Sequence, residues 1–225
     1  MISVAIDGPA GAGKSTVARE AAQRLGYVYV DTGAMYRAIG LYICRLGKRT
    51  DVKQDVLPYL KDIKIEIKYI KGEGQRIYLN GEDVSEKIRE PEISMAASNV
   101  SAMGEVRDFL FELQRSTARE NNVVMDGRDI GTVVLPNAQV KIFLTAQLEE
   151  RARRRWIEMK NKGQEADFNE VLEDVRQRDY NDTNRKVAPL KQADDAVLVD
   201  TTGYDFEQSV QLVMDTVEGR LKNVL

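Results

Sequence analysis

Lys14 and Ser15 close the string Gly8-Pro9-Ala10-Gly11-Ala12-Gly13-Lys14-Ser15, a G-x4-G-K-S spacing suited to holding a polyphosphate. Its glycines allow successive backbone N–H groups to converge on one point. Lys14 can then reach β- and γ-phosphates, and the Ser15 hydroxyl, followed by Thr16, is placed to hold Mg²⁺. The apolar stretch Ile2-Ser3-Val4-Ala5-Ile6 precedes the string, and the helix-forming run Thr16-Val17-Ala18-Arg19-Glu20-Ala21-Ala22 follows it. Strand, glycine-rich turn and helix in that order distinguish a phosphate-binding P-loop from a tight turn with no ligand. Gly8 through Thr16 are therefore read as the site of a nucleoside triphosphate.

Further charged constellations could serve a second anion. Asp31-Thr32-Gly33-Ala34-Met35-Tyr36-Arg37 leaves an apolar run and opens a helix. Thr32 as N-cap, free helix N–H groups and Arg37 would suit a monophosphate, and the alternative is a capped helix with an exposed arginine. Asp126-Gly127-Arg128-Asp129 ends another apolar run. Asp126 has the place of an acid that assists Mg²⁺ through water, and the alternative is a solvated loop. Arg151-Ala152-Arg153-Arg154-Arg155 lies in a helix expected to run from Thr145, its N-cap, to Gly163. Leu148, Ala152, Trp156 and Met159 form its apolar stripe. Arg153 and Arg154 stand four residues after Glu149 and Glu150 and can pair along the helix. Arg151 and Arg155 have no such partner, which makes them the better phosphate ligands. On the next helix, opened by Asp167-Phe168-Asn169-Glu170 in a capping-box pattern, Arg178, Asp182 and Arg185 share a face. They are either ligand contacts or an ion-pair ladder. The two basic helices, joined by Lys160-Asn161-Lys162-Gly163-Gln164, read as a lid that can carry arginines to a phosphoryl group and exclude water.

Composition narrows the chemistry. The 225 residues include no histidine and one cysteine, Cys44, with a net charge of −3. Imidazole bases and histidine metal ligands are excluded. An acceptor that is itself a phosphate needs no base, because its second pKa is about 6. Phosphate-to-phosphate transfer fits this inventory. Cys44 is expected as a small buried side chain. With no basic-apolar leader and no membrane-length apolar run, a soluble cytoplasmic protein is expected, with no membrane partner. The negative total and the single aromatic among the arginines argue against nucleic acid. Nothing points to an obligate interface, so a monomer is expected.

These side chains need elements to carry them. Apolar runs at 2–7, 27–30, 123–126, 140–144 and 196–199 are mostly continuous, as parallel strands covered on both faces should be. Helical stretches separate them, giving an α/β sheet with helices on both sides. Asp7, Asp31, Asp126, Thr145 and Asp200 end these runs and are expected to converge on the P-loop. Ile63, Ile65, Ile67 and Tyr69 alternate with charged residues, Lys71-Gly72-Glu73-Gly74 reads as a turn, and Asn80-Gly81 is a hairpin signal. A small antiparallel insert follows, with helices near 92–100 and 105–121 beyond it.

Taken in order, these elements closely resemble the bacterial cytidylate kinase family, nucleoside monophosphate kinases acting on CMP and dCMP. The resemblance spans essentially the whole chain. It includes Asn80-Gly81-Glu82-Asp83-Val84, Asp126 through Val134, Glu150-Arg151-Ala152-Arg153-Arg154-Arg155 and Asn184-Arg185-Lys186-Val187-Ala188-Pro189-Leu190. It implies a P-loop kinase core with a five-stranded parallel sheet, over about 1–40, 105–147 and 187–225. It also implies a monophosphate-binding region with a β insert over about 41–104, and an arginine-rich helical lid over about 148–186. ATP with Mg²⁺ would be the donor and CMP or dCMP the acceptor. By position the resemblance assigns Ser98, Arg107 and Asp129 to cytosine, and Arg178 and Asp182 to ribose. It assigns Thr32, Arg37, Arg128 and Arg185 to the acceptor phosphate. Lys14, Arg128, Arg151, Arg155 and Arg185 would act on the transferring group. The rivals are a small P-loop kinase for UMP or another metabolite, and a GTP-dependent switch. The switch lacks its N-K-x-D: the nearest string is Asn161-Lys162-Gly163-Gln164, and Asp200-Thr201-Thr202-Gly203 comes too late for its D-x-x-G.

Overall fold

The computed structural model describes residues 1–70 and 74–222. The five apolar runs form strands β1 (Ser3–Asp7), β2 (Val28–Asp31), β6 (Val123–Gly127), β7 (Val140–Thr145) and β8 (Val197–Asp200). They make one parallel sheet in the order β2-β6-β1-β7-β8. Strand polarity alternates between two cores. Val4, Ile6, Val124 and Ile142 pack beneath helices α1 (Lys14–Leu25) and α8 (Phe206–Leu221). Ala5, Val30, Val123 and Met125 face the opposite layer, built on α2 (Thr32–Arg45), α4 (Pro91–Ser101) and α5 (Gly104–Glu120). Both faces are covered, which is why the strands read as unbroken apolar runs.

The insert is a second sheet of β3 (Ile65–Ile70), β4 (Gly74–Leu79) and β5 (Glu82–Asp83), antiparallel in that order. Asn80 and Gly81 have φ of 50° and 86°, the conformation a two-residue hairpin turn requires. Ile65, Ile77 and Leu79 anchor the sheet in the α2–α4 core, and Lys64 and Lys68 are exposed. The turn expected at Lys71-Gly72-Glu73-Gly74 lies outside the described residues except for Gly74. A short helix α3 (Lys53–Val56) and a 3-10 turn (Leu57–Asp62) lead into the insert. The two basic helices are α6 (Leu148–Asn161) and α7 (Phe168–Asn184). Among the described residues no helix is long and apolar enough to cross a membrane.

Local expectations are corrected at several points. Thr145 belongs to β7, and α6 begins after Gln147, because the strand's register with Asp200 carries it that far. Thr32 is the first helical residue and does not cap. Asp31 is the N-cap of α2, accepting from Ala34 N–H at 2.9 Å, while the Thr32 hydroxyl donates to Asp126 O at 2.8 Å. Cys44 is exposed, one position beyond the buried Ile43 and so turned off the inward face of α2. Asp7 points away from the P-loop: its carboxylate accepts from Ile130 and Gly131 N–H at 2.8 and 2.7 Å. Asp200 likewise turns to its own loop, accepting from Thr202.

Candidate active site

The P-loop leaves the carboxyl end of β1, the central strand, between β6 and β7. That is where the strand order reverses and where open α/β sheets bind ligands. Gly8 has φ 151°, and a Cβ there would stand 2.0 Å from Leu144 O, so only glycine fits against β7. Gly13, with φ 81°, is the N-cap of α1. The helix thus begins at Lys14 with its positive end directed at the loop. Lys14 is buried and donates to Pro9 O at 2.7 Å. Burial, with Arg128 nearby, lowers the pKa of its ammonium.

Register aligns β2 with β6, setting Asp31 beside Asp126. Ser15 Oγ donates to Asp126 Oδ2 at 2.8 Å, and Tyr29 OH to Oδ1 at 3.0 Å. Burial, then the Asp31 charge, push the Asp126 carboxyl up to about 6. A carboxylate so disfavoured is one that a cation would stabilise. Among the described residues no group of three or more His, Cys, Asp or Glu could hold a metal. Ser15 and Asp126 offer the one or two protein oxygens that Mg²⁺ takes when phosphates and waters fill the rest of its shell. These residues fit Mg²⁺.

A cavity of about 750 Å³ opens beside the loop. Its wall includes Gly11, Ala12, Gly13, Lys14, Ser15 and Thr16 from the cradle, with Thr32 and Arg37 from α2 and Asp126 from the end of β6. Ser98, Arg107, Arg128 and Asp129 line it, as do Arg155 from α6, Arg178 and Asp182 from α7, and Arg185 just beyond α7. Gly8, Pro9, Ala10 and Arg151 do not line it. Arg151 turns behind the loop, where Nε donates to Ala146 O at 2.8 Å and Nη1 to Ala10 O at 2.7 Å.

The wall carries eleven Lys and Arg against seven Asp and Glu, a surplus of four positive charges in a chain with a net −3. Its ion pairs hold the arginines in place. Arg37 pairs with Asp31 at 2.7 Å, and Arg128 with Asp182 at 2.7 Å. Burial works to raise the Asp31 carboxyl, but Arg37 and the Ala34 N–H hold it below its usual range. Asp129 joins Arg107 and Arg185, and Arg107 also donates to Ser101 O at 3.3 Å. Burial, then Arg128, push the Arg178 guanidinium down to about 10. Nε of both Arg37 and Arg178 is buried with no hydrogen-bond partner among the described residues. Arg155 pairs with Glu158 at 3.0 Å, three residues ahead, a partner that a search four residues back overlooks.

Several wall residues escape sequence reasoning. Arg154 does pair with Glu150 at 3.2 Å, yet it lines the cavity and donates to Thr201 O at 2.7 Å. Tyr204 and Phe206 stand beside it, both substantially exposed. An aromatic just beyond a strand's carboxyl end was the available signal. Tyr36 lies under Arg107, 5.6 Å from ring centre to guanidinium carbon. Gln75 of the insert brackets the Asp31 backbone, accepting from its N–H at 2.8 Å and donating to its carbonyl at 3.3 Å. Only the packed insert reveals that contact.

A glycine cradle at the head of a helix, a hydroxyl–carboxylate pair for Mg²⁺ and an arginine-lined cavity define a P-loop phosphotransferase. Comparison with known proteins identifies which. The family described as cytidylate kinase matches residues 4–219. The chain is 50% identical over 214 residues to a cytidylate kinase of Caldicellulosiruptor saccharolyticus, covering 95% of this chain and 94% of that protein. It is 51% identical over 223 residues to one from Carboxydothermus hydrogenoformans, covering 99% of each. A solved structure of an uncharacterized protein from Eubacterium ventriosum shares the fold, with TM-score 0.53 at 12% identity over 97% of this chain and 99% of that one. The chain belongs to the cytidylate kinase family.

Proposed function

We propose that the protein transfers the γ-phosphoryl group of ATP to the 5′-phosphate of CMP or dCMP, giving ADP and CDP or dCDP. The observation that carries this reading is the surplus of four cationic side chains around one cavity that begins at a P-loop. Two nucleotides meeting end to end bring comparable negative charge. The acceptor oxygen is already ionised near neutral pH, so no histidine is required. That oxygen bonds to the γ-phosphorus as the bond to the β–γ bridging oxygen breaks, and ADP leaves with the electron pair. Lys14 swings from Pro9 O to the phosphates, and Arg128, Arg155, Arg178 and Arg185 offset charge on the equatorial oxygens. Ser15 and Asp126 would hold Mg²⁺, which would supply further charge neutralisation. Lid closure over the pair would exclude the water that otherwise competes as acceptor.

Ser98, Arg107 and Asp129 line the same cavity, and we assign them to the acceptor's base. An acceptor there takes cytosine's exocyclic amine and a guanidinium donates to O2 and N3. Uracil presents a carbonyl where cytosine presents the amine, a mismatch of about 1–3 kcal/mol. The donor's base has Arg154, Tyr204 and Phe206 to lie against, surfaces that stack on any purine. ADP release measured with CMP, dCMP, UMP and AMP at equal concentration tests the reading. CMP and dCMP should exceed UMP by roughly tenfold or more. Equal turnover on all four would refute it.

A further inference from the structure

Arg151 and Asp179 join the lid to the back of the P-loop. Ala10 N–H donates to Asp179 Oδ1 at 3.1 Å, and Ala10 O accepts from Arg151 Nη1 at 2.7 Å. The two side chains also pair with each other, at 2.6 Å. Both polar groups of one loop residue are thus held by one residue from α6 and one from α7. The α6 backbone lies equally close: a Cβ on Gly11 would stand 3.0 Å from Arg151 O. Ala10 is 1% exposed and the Arg151 side chain 8%, so the Arg151 contact is shielded from water, and that of Asp179 is partly buried.

We infer that Arg151 and Asp179 form a latch through which the lid helices set the P-loop backbone, making both of them positioning residues for the donor triphosphate. The latch also registers the lid against the loop. Arg155, one turn beyond Arg151, and Arg178, directly before Asp179, both line the cavity. A shift of either helix therefore moves a cavity-lining arginine and a loop anchor together. Charge completes the device. A lone carboxylate behind a cradle for a polyanion would repel it, and the Arg151 guanidinium cancels that field.

This inference rests on the kinase reading for its donor, so the test uses a ligand whose binding is independent of the acceptor. ADP and CMP affinities are measured by calorimetry for the wild-type chain, Arg151→Met, Asp179→Asn and the double variant, each checked for a cooperative melt. Arg151→Met leaves Asp179 unpaired beside the phosphates and should weaken ADP roughly tenfold or more. Asp179→Asn should weaken it only several-fold, because an amide oxygen still accepts from Ala10. The double variant should bind ADP better than Arg151→Met alone, a rescue that a merely structural role would not give. CMP affinity should fall clearly less than ADP affinity throughout, because only the donor's phosphates meet the P-loop backbone. If Arg151→Met does not fold, Arg151→Lys, which keeps the charge, should bind ADP within roughly threefold of wild type. Single losses that multiply in the double variant, ADP affinity unchanged in Arg151→Met, or equal loss for ADP and CMP would each overturn the latch. A wild-type chain that binds ADP yet fails to phosphorylate CMP would refute the acceptor assignment and leave the latch standing.

Discussion

Lys14 rests on Pro9 O in a buried setting that disfavours its charge. An ammonium kept there without phosphates is compensated by one carbonyl and by distant carboxylates, and a triphosphate would supply much stronger partners. Its role is therefore at the transferring group more than in assembly of the acceptor pocket. Lys14→Ala should lower kcat by roughly a hundredfold or more while CMP affinity is unchanged. Turnover of ADP formation and calorimetric CMP binding check both halves. Arg151 and Arg154 show how far residue-level reading reaches. Spacing to acidic neighbours correctly finds the Glu150 pair of Arg154, yet Arg154 faces the cavity and Arg151 the back of the loop. An i,i+4 partner occupies one edge of a guanidinium, which still has other donors to spend elsewhere.

Elements place these groups, and α2 against α4 is the contact that sets the wall carrying Arg37 and Ser98. A Cβ on Gly40 would lie 2.9 Å from Ala96 Cβ and 3.2 Å from Ala96 C. Alanine in a helix interior ordinarily gains about 1 kcal/mol over glycine, but overpacking here costs about 1–3 kcal/mol and involves backbone that cannot turn aside. Gly40→Ala should lower Tm and, because α2 carries Arg37 and α4 carries Ser98, raise KM for CMP with KM for ATP nearly constant. Thermal melts and initial rates measure these effects. The five parallel strands, the first two insert strands and helices α4 and α5 were legible within a residue or two, from apolar runs and from Asn80-Gly81, whereas α3, α8 and β5 were not read individually. The starts of α2 and α6 were misplaced because Thr32 and Thr145 are good capping residue types that the sheet claims instead: the Thr32 hydroxyl goes to Asp126 O, and register with Asp200 carries Thr145 into β7.

At the scale of the molecule, stability is coupled to pH through carboxylates that folding buries. Burial raises the Asp7 carboxyl from 3.8 to about 6 despite its two backbone donors. The folded chain then keeps a proton that the unfolded chain has released. Stability from this group is greatest below about pH 4 and declines as pH rises to about 6, by on the order of 3 kcal/mol in all. Asp7→Asn cannot titrate, so the stability difference between wild type and variant should change across that window. Urea unfolding at intervals from pH 4 to 7 measures it, and a constant difference would contradict the assignment. Carboxylates titrating elsewhere cancel in the comparison.

The sequence by itself determined the phosphate cradle, the parallel strands and the antiparallel insert, because each depends on the order of neighbouring residues and a local period. Tertiary packing decided where charged side chains point. Whether Arg151 holds the loop or the ligand, whether Asp31 or Thr32 caps α2, and which carboxylate meets Arg107 depend on groups from distant segments. Helical periodicity reports which side of an element is apolar, and says nothing of what stands across from the polar side.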